Sequence, residues 1–175
     1  TDRSVLITGG ATGIGACLVE QFAAQGARVG FIDIDASAGN ALAAALAGMR
    51  HPPLFVAADI TDIAALEAAI DAVRERCGPI AALLNNAAND RRHSIDATDS
   101  QAWDAGVAVN LKHQFFAARQ VAADMKQLGG GSIVNIASNA GLLPRAHDPV
   151  YSTSKGALVA FTKSLALCHA PDRIR

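Results

Sequence analysis

The stretch Thr8-Gly9-Gly10-Ala11-Thr12-Gly13-Ile14-Gly15 decides how the chain folds, because it separates two segments of different hydrophobic period. Residues 4–8, immediately before the glycines, form a short apolar run that favours a β-strand. After Gly13 the apolar residues recur at helical spacing, and Gly26 follows where a helix C-cap is expected. The stretch therefore predicts a strand, a glycine-rich turn and a helix whose apolar face carries Ile14, Leu18, Phe22 and Ala23.

The same alternation continues along the chain. Further strands are predicted over residues 28–33, 54–58, 80–84 and 132–137, and residues 85–99 form a polar connection. Helices are predicted over about residues 37–46, from Thr61 or Asp62 to about residue 76, and over about residues 101–128 and 150–169. Because each strand is apolar almost throughout, both faces of the sheet are expected to be covered. The pattern predicts one α/β domain over residues 1–175, with a doubly wound parallel sheet of Rossmann type.

Composition excludes several classes of protein. The 175 residues are 51% hydrophobic, and 15 Lys and Arg balance 16 Asp and Glu, so the chain lacks the basic surface typical of a nucleic-acid binder. No apolar run reaches the roughly 18 residues that a membrane span needs. The first residues show no signal-peptide pattern, and the three cysteines are far apart. We expect a cytoplasmic enzyme with no nucleic-acid partner, no membrane association and no disulfide framework.

Two interpretations explain the glycine-rich turn. A tight corner between strand and helix needs glycines for its backbone conformation. Alternatively, the helix N-terminus offers free N–H groups and a positive dipole end to a pyrophosphate. Asp33 favours the second reading, because it ends the second strand 18 positions after Gly15, where a carboxylate can bind an adenosine ribose and repel a 2′-phosphate. Asp59, at the end of the third strand, could contact adenine or simply begin the turn to Thr61.

Tyr151 and Lys155 are four residues apart near the start of a predicted helix, so their side chains share one face. A phenol is a poor general base at neutral pH, and a nearby ammonium group favours its phenolate form. Ser138 ends the fifth strand, at the sheet edge where doubly wound folds bind ligands, and its hydroxyl could orient a substrate oxygen. A tyrosine and a lysine at this spacing are also common by chance on exposed helices.

Together these motifs resemble the short-chain dehydrogenase/reductase family. The TGxxxGxG turn of that family corresponds to residues 8–15, its NNAG segment to Asn85-Asn86-Ala87-Ala88, and its serine and YxxxK motif to Ser138 and to Tyr151 with Lys155. The helix asparagine of the family matches Asn110. Ala88 departs from the family glycine, and the resemblance covers the chain from Ser4 to Arg175.

The resemblance implies roles for these residues. Tyr151 is expected to be the general acid/base, with Lys155 favouring its phenolate form and binding the nicotinamide ribose. Ser138 is expected to hold the reacting oxygen, and Asn110 to fix a water in a proton relay through Lys155. The cofactor is expected to be NAD, bound by Gly9, Thr12, Gly13, Ile14, Gly15, Asp33, Asp59, Ile60, Asn86, Ala87, Tyr151 and Lys155.

The polar segment from Asn85 to His93 looks like the corresponding segment of family members that oxidise aldoses at carbon 1. Polar side chains at a strand end suit a polyhydroxylated substrate, although a solvated surface loop explains them as well. The candidate substrate contacts are Asn89, Asp90, Asn139 and His147, with Arg145 as a further polar residue nearby. The five histidines show no paired metal-ligand spacing, so we expect no metal.

The leading hypothesis is an NAD-dependent oxidoreductase acting on a secondary alcohol, a sugar hemiacetal or the corresponding carbonyl. A carbonyl or 3-oxoacyl reductase that uses the reduced cofactor is one alternative, and a dinucleotide-binding fragment without turnover is another. Similar proteins form tetramers through the two long helices, so we expect a homotetramer. Family members also continue for roughly 250 residues in all, so the resemblance implies that C-terminal strands of the fold are missing and that Ile174-Arg175 enters a sixth strand.

Overall fold

The computed structural model describes residues 2–143 and 145–175, which contain five named strands and six α-helices. The strands are β1 (Ser4–Thr8), β2 (Arg28–Asp33), β3 (Leu54–Ala57), β4 (Ile80–Asn85) and β5 (Ser132–Asn135). The helices are α1 (Gly13–Ala24), α2 (Ala36–Ala45), α3 (Ile63–Cys77), α4 (Ser100–Val107), α5 (His113–Gln127) and α6 (Pro149–His169). No helix among the described residues is both long enough and apolar enough to cross a bilayer.

The strands form one parallel sheet in the order β3-β2-β1-β4-β5, which confirms the predicted doubly wound architecture. The order of connection reverses between β1 and β4, and ligands of such sheets bind in the crevice at that reversal. Beyond β5, Gly131 and Ile174 form a parallel bridge, and the Ile133 amide donates to the Arg175 carbonyl at 2.8 Å. Residues 174 and 175 therefore lie where a sixth strand was predicted to begin.

Two apolar clusters cover the two faces of the sheet. One contains residues of α3 and α5, among them Leu66, Val73 and Val121, and the other contains residues of α1 together with β2. Gly30 in β2 allows α3 to approach closely, because a Cβ at Gly30 would lie 2.3 Å from Cγ1 of Val73. The close contact of helix and strand fixes α3 against the centre of the sheet.

The predicted apolar face of α1 was wrong in its first residue. Ile14 is 66% exposed, and the fully buried residues of α1 are Gly15, Val19 and Ala23. The reason is that the first turn of α1 lies beyond the sheet edge, where its side chains face a cleft and not the core. Ile14 lines that cleft, whereas Leu18 and Phe22, further along the helix, are partly buried against the core as predicted.

The segment predicted as one helix over residues 101–128 is divided. A π-helical turn, Ala108–Lys112, separates α4 from α5. The wider turn contains Asn110, whose side chain is buried there. Turns of this kind are frequent at functional sites.

A buried carboxylate connects α3, α5 and β4. Asp124 of α5 accepts hydrogen bonds from Nε of Arg74 at 2.8 and 2.9 Å and from the Ile80 amide at 3.1 Å. Arg74 also pairs with Asp71 on its own helix, and the guanidinium of Arg74 is partly exposed. Removing the Asp124 carboxylate would leave a buried N–H group and a partly buried cation without their partner.

We therefore expect Asp124→Ala to lower the free energy of unfolding by about 3 kcal/mol. The matched control is Glu67→Ala, which breaks the exposed ion pair between Glu67 and Arg119 and should cost less than about 1 kcal/mol. Urea unfolding followed by circular dichroism measures both values. Equal losses for the two variants would contradict the structural role of Asp124.

Candidate active site

A cleft of about 620 Å³ opens at the carboxyl ends of β1 and β2, at the start of α1. It is lined by the glycine turn, by the residues that end β2 and follow β3, and by the segment after β4. The predicted cofactor residues that line it are Gly9, Thr12, Ile14, Gly15, Asp33, Asp59, Ile60, Asn86 and Ala87. The structure thus brings together most of the residues predicted to hold a dinucleotide.

Two glycines of the turn are required by close packing. A Cβ at Gly15 would lie 1.8 Å from the Gly9 carbonyl oxygen, and a Cβ at Gly9 would lie 2.7 Å from Cα of Ala87. Gly9 and Gly13 both adopt a positive φ, of +65° and +55°, but Gly13 differs because no atom lies within 4 Å of its Cβ position. The tight-corner reading therefore accounts for Gly9 and Gly15, and the open backbone at Gly13 also leaves room for a ligand.

The start of α1 is free to bind an anion. Asp35, Asp62 and Asp99 accept hydrogen bonds from the first N–H groups of α2, α3 and α4. At the corresponding position of α1, Thr12 forms no such bond, so the unpaired N–H groups of that helix are not occupied by a side-chain cap. These groups and the helix dipole suit a pyrophosphate, and the cleft fits a dinucleotide on this ground.

Asn86 fixes the glycine turn to the end of β4. Its side-chain amide donates to the carbonyls of Thr8 at 3.2 Å and Gly9 at 2.9 Å, and its backbone amide donates to the Thr8 hydroxyl at 3.1 Å. The Ala87 amide donates to the same hydroxyl at 3.2 Å. Thr8 is therefore a structural residue of the site that sequence reasoning included in the motif but gave no role.

The two carboxylates of the cleft differ in how they are held. Asp33 accepts hydrogen bonds from the Ala11 amide at 2.9 Å and the Asp35 amide at 3.0 Å, so it fixes the glycine turn as well as facing the cleft. Asp59 accepts from the amide and hydroxyl of Thr61. The structure thus shows Asp59 in the turn to Thr61, and its contact with adenine stays a prediction.

A second cavity, of about 450 Å³, adjoins the first and shares Asn89, Ala105 and Val109 with it. Tyr151 lies in its wall, at the start of α6, and Asn110 lines it from the π-helical turn. The remaining polar lining comes from the segment after β4 and the start of α4, namely Arg91, His93, Asp99 and Gln101.

Four residues were predicted as substrate contacts, and the structure places them differently. Asn89 lines the second cavity, whereas Asp90, Asn139 and His147 are exposed and do not belong to its lining. Asn139 accepts a hydrogen bond from Arg145 at 2.7 Å, outside the cavity. Sequence reasoning did not single out Arg91 and His93 for this wall, although the polar segment that it recognised contains both.

Asn110 holds the wall of this cavity. Its Nδ2 donates to the Asn89 carbonyl at 2.9 Å, and its Oδ1 accepts from the Asn89 amide at 2.8 Å. The Asn89 side chain in turn accepts from the Arg91 amide at 2.9 Å. Since both ends of the Asn110 amide bind Asn89, its position fixes where residues 89–93 leave the sheet.

Ser138 is placed by close contact between two backbones. Its hydroxyl accepts from the Ala140 amide at 3.1 Å, at the start of a short 3₁₀ turn, Asn139–Gly141. A Cβ at Gly141 would lie 2.6 Å from the backbone of Lys155 and Gly156, so this turn packs directly on α6. β5 ends at Asn135, two residues earlier than predicted, so Ser138 follows the strand and does not end it. The contact brings this following segment to the helix that carries Tyr151 and Lys155.

Lys155 is buried, with 1% of its surface exposed. Its ammonium group donates to the Ile136 carbonyl at 2.6 Å and lies 5.7 Å from the centre of the Tyr151 ring. Burial lowers the pKa of Lys155 to about 8, because the charged form loses hydration. The predicted pairing of a tyrosine and a lysine on one helix face is thus present in the structure.

A doubly wound sheet with a dinucleotide cleft beside a paired tyrosine and lysine defines a nicotinamide-dependent oxidoreductase. Residues 3–175 match the family model described as short chain dehydrogenase, so the chain belongs to the short-chain dehydrogenase family. The matching motifs and the aldose-dehydrogenase resemblance predicted from the sequence agree with this finding.

Similar proteins include sugar dehydrogenases. The chain is 46% identical over 175 residues to a protein of Rhizobium meliloti described as a probable galactose dehydrogenase, and 39% identical over 173 residues to the D-xylose 1-dehydrogenase of Caulobacter vibrioides. It covers 68% of each, and each match covers 99% of this chain. A solved oxidoreductase of the same family from Burkholderia thailandensis matches all of this chain with a TM-score of 0.88 and 34% identity, over 66% of its own length.

The buried ammonium predicts a specific pH dependence of stability. Its folded-state pKa of about 8 lies below the ordinary 10.5, so the unfolded chain binds one more proton between these pH values. The cost of burying the charge is therefore complete below pH 8 and disappears as the pH rises towards 10.5.

Relative to the wild type, Lys155→Met should have its most favourable effect on the free energy of unfolding at neutral pH, where the wild type buries a charge. This advantage of the variant should shrink by up to about 3 kcal/mol between pH 8 and 10.5. Urea unfolding at a series of pH values measures the difference from the wild type. Lys163→Met, an exposed position on the same helix, is the control. A difference for Lys155→Met that does not depend on pH would contradict the desolvated ammonium.

Proposed function

We propose that the full-length protein oxidises an aldose, at its hemiacetal carbon, or a related secondary alcohol, with NAD as the hydride acceptor. The observation that carries this proposal is the position of Tyr151. Its ring lines the polar second cavity, Lys155 lies behind it, and that cavity is continuous with the dinucleotide cleft through Asn89. Residues 1–175 act as one dinucleotide-binding and catalytic domain in this proposal.

The cofactor is held by the cleft residues. The N–H groups at the start of α1 and the open backbone at Gly13 bind the pyrophosphate, and Lys155 binds the nicotinamide ribose. Asp33 binds the adenosine ribose and repels a 2′-phosphate, which selects NAD. A bound nicotinamide supplies the site that accepts or returns a hydride ion.

Tyr151 carries the proton. Its phenolate takes a proton from the substrate hydroxyl while the carbon loses its hydride, and the nearby Lys155 ammonium favours that phenolate. The Ser138 hydroxyl orients the same substrate oxygen. Asn110 lies in the π-helical turn beside Lys155 and holds the wall of the second cavity. From Lys155 the proton is passed on through water.

The substrate class is supported by the lining of the second cavity. Arg91, His93 and Gln101 offer hydrogen-bond donors and acceptors across a space of about 450 Å³, which suits a molecule with several hydroxyl groups. The named activities of the relatives, on galactose and xylose, point to the same class. Reduction of a carbonyl or 3-oxoacyl compound is the alternative.

We further propose a cytoplasmic homotetramer. Mostly apolar, partly buried side chains from the end of α4, the π-helical turn, α5 and α6 form a groove of about 360 Å³, lined by Val107, Leu111, Lys112, Phe115, Phe116, Ala157 and Phe161. Phe115 and Phe161 stack at 5.3 Å, and Phe115 is 49% exposed. A second copy of the chain would cover this groove. The proposed location rests on the three free cysteines, which suit a reducing compartment.

Tyr151→Phe should lower kcat/KM for oxidation by about 10³-fold, far more than it changes the affinity for NADH, because the phenol carries the proton but is only one of many residues predicted to bind the cofactor. Assays of the full-length protein with a panel of aldoses and secondary alcohols measure the first value, and fluorescence titration the second. Equal rates for the variant and the wild type would overturn the role of Tyr151. Turnover of a 3-oxoacyl thioester, with none of any aldose, would instead favour the alternative.

Asp33→Ala should reduce the preference for NAD over NADP by at least about tenfold, because it removes one charged hydrogen bond and one repulsion. Asp33 also accepts a hydrogen bond from Ala11 in the glycine turn, so the substitution could loosen the turn for both cofactors. The ratio of kcat/KM with NAD to kcat/KM with NADP isolates the selection between the cofactors from that shared effect. Asp35→Ala, which removes only the cap of α2, is the control and should leave the ratio unchanged. A wild-type enzyme that prefers NADP would refute the proposed selection.

Phe115→Glu should shift the full-length protein from a tetramer to a smaller species, because it places a charge in the apolar groove. Light scattering coupled to gel filtration measures the mass. Leu128→Glu, at an exposed apolar position outside the groove, is the control. A wild-type monomer would show that the groove is not covered by a second copy.

A further inference from the structure

Asn135, the last residue of β5, connects the sheet to α6 through its side-chain amide. Its Oδ1 accepts a hydrogen bond at 2.8 Å from Nδ2 of Asn85, the residue opposite it at the end of β4. Its Nδ2 donates to the Thr162 hydroxyl on α6 at 2.9 Å. One side chain thus joins two strands and the helix that carries Tyr151, and the proposed reaction gives it no role.

The partners of Asn135 fix which end of its amide faces which neighbour. The Thr162 hydroxyl has a single hydrogen, which it donates to the Leu158 carbonyl at 2.8 Å, so this hydroxyl can only accept from Asn135. On the other side, Nδ2 of Asn85 also donates to the Gln114 carbonyl at 3.4 Å, and a carbonyl can only accept. The hydrogen bonds therefore run in one direction, from β4 through Asn135 to α6, and a side chain without both a donor and an acceptor cannot replace it.

The next residue along the chain binds Lys155. The Ile136 carbonyl accepts a hydrogen bond from the Lys155 ammonium at 2.6 Å, and the Ile136 amide donates to the Asn85 carbonyl at 3.0 Å. Thr162 follows Lys155 by about two helical turns, so the two side chains lie on the same face of α6. Residues 135 and 136 are therefore attached to this one face at two points, by a side-chain amide and by a backbone carbonyl.

We propose that Asn135 is a positioning residue for the lysine of the site: its bridge between β4 and α6 holds the Ile136 carbonyl against the Lys155 ammonium. The bridge fixes the separation of α6 from the segment after β5, and the hydrogen bond to the ammonium depends on that separation. This proposal rests on the proposed function only for its effect on turnover, because the environment of Lys155 is measurable without a substrate.

Lys155 is sensitive to a small displacement of this carbonyl. The residue is 1% exposed, and the Ile136 carbonyl is the one hydrogen-bond acceptor that the described residues provide for its ammonium. Without the bridge the carbonyl is held less firmly, the charged form is less stable, and the pKa of Lys155 falls below its present value of about 8. Losing a whole hydrogen bond to a charged group corresponds to about one to two pH units, so weakening it should give a shift of about half a unit.

The test compares Thr162→Val, which keeps the shape of the side chain without its hydroxyl, with Thr162→Ser, which keeps the hydroxyl. Carbon-13 NMR of the full-length protein with labelled lysine follows the titration of Lys155, and Lys155→Met assigns its signal. We expect Thr162→Val to lower the pKa of Lys155 by about half a unit and Thr162→Ser to leave it unchanged. Asn135→Leu, which removes both ends of the bridge, should give at least the same shift. Thr153→Val, the same change at an exposed position of α6, is the control.

Profiles of kcat against pH, measured on the same variants, give the second readout. The alkaline limb should move to lower pH in the order of the Lys155 titrations, which a loss of stability alone would not produce. An unchanged titration of Lys155 in Thr162→Val and in Asn135→Leu would overturn the proposal, and so would equal shifts in the Val and Ser variants of Thr162. Absence of turnover in the wild type, with the expected titrations, would refute the proposed function alone, since the NMR measurement is independent of catalysis.

Discussion

The burial of the Lys155 charge is the constraint on which the arrangement of this site depends. An ammonium group removed from water must be surrounded by acceptors and electron-rich groups, and the structure provides the Ile136 carbonyl and the face of the Tyr151 ring. Tyr151 belongs to α6 itself, whereas the Ile136 carbonyl is available because the segment after β5 lies against α6. That contact in turn requires glycine at Gly141, where any side chain would meet the backbone of the helix.

The two helices on either side of the π-helical turn face different parts of the molecule. α4 directs Ala102 and Ala105 towards the second cavity, whereas α5 directs Ala118 and Val121 into the core against the sheet. A straight α-helix would keep one face throughout, so the wider turn is where the facing direction changes. Asn110 lies at this point, and its pair of hydrogen bonds to Asn89 uses the extra turn to hold the wall of the cavity.

The sequence predicts the frame of the fold well and the details of the site unevenly. Strand and helix positions follow from hydrophobic period and glycine punctuation, so β1 and β2 begin and end at the predicted residues. The hydrophobic period does not indicate where a helix extends beyond the edge of the sheet. For this reason Ile14 is predicted in the core, although it faces the cleft. The π-helical turn has no periodic signal either, because one inserted residue is absorbed within a helix that remains amphipathic.

Motif residues are predictable because they are tied to the backbone frame, whereas pocket residues depend on how loops fold. Asp33 and Tyr151 lie at the ends of regular elements, so counting along the chain places them at the crevice. Asn139 follows a strand in the same way, but the 3₁₀ turn directs it towards Arg145 and out of the cavity. Contacts between distant segments, such as Gly141 with Gly156, decide such directions and leave no local pattern in the sequence.

Under the proposed function, the structure separates the chemistry from the selection of substrate. Tyr151 and Lys155 lie on α6, which packs on the turn at Gly141, whereas Arg91 and His93 come from the segment after β4. The polar wall of the second cavity, with Arg91 and His93, is joined to the frame chiefly through the bonds between Asn110 and Asn89. If the proposed function holds, substitutions in residues 91–93 are expected to change which hydroxyl groups are bound while Tyr151 keeps its position. Relatives named for different sugars, galactose and xylose, are what such a separation allows.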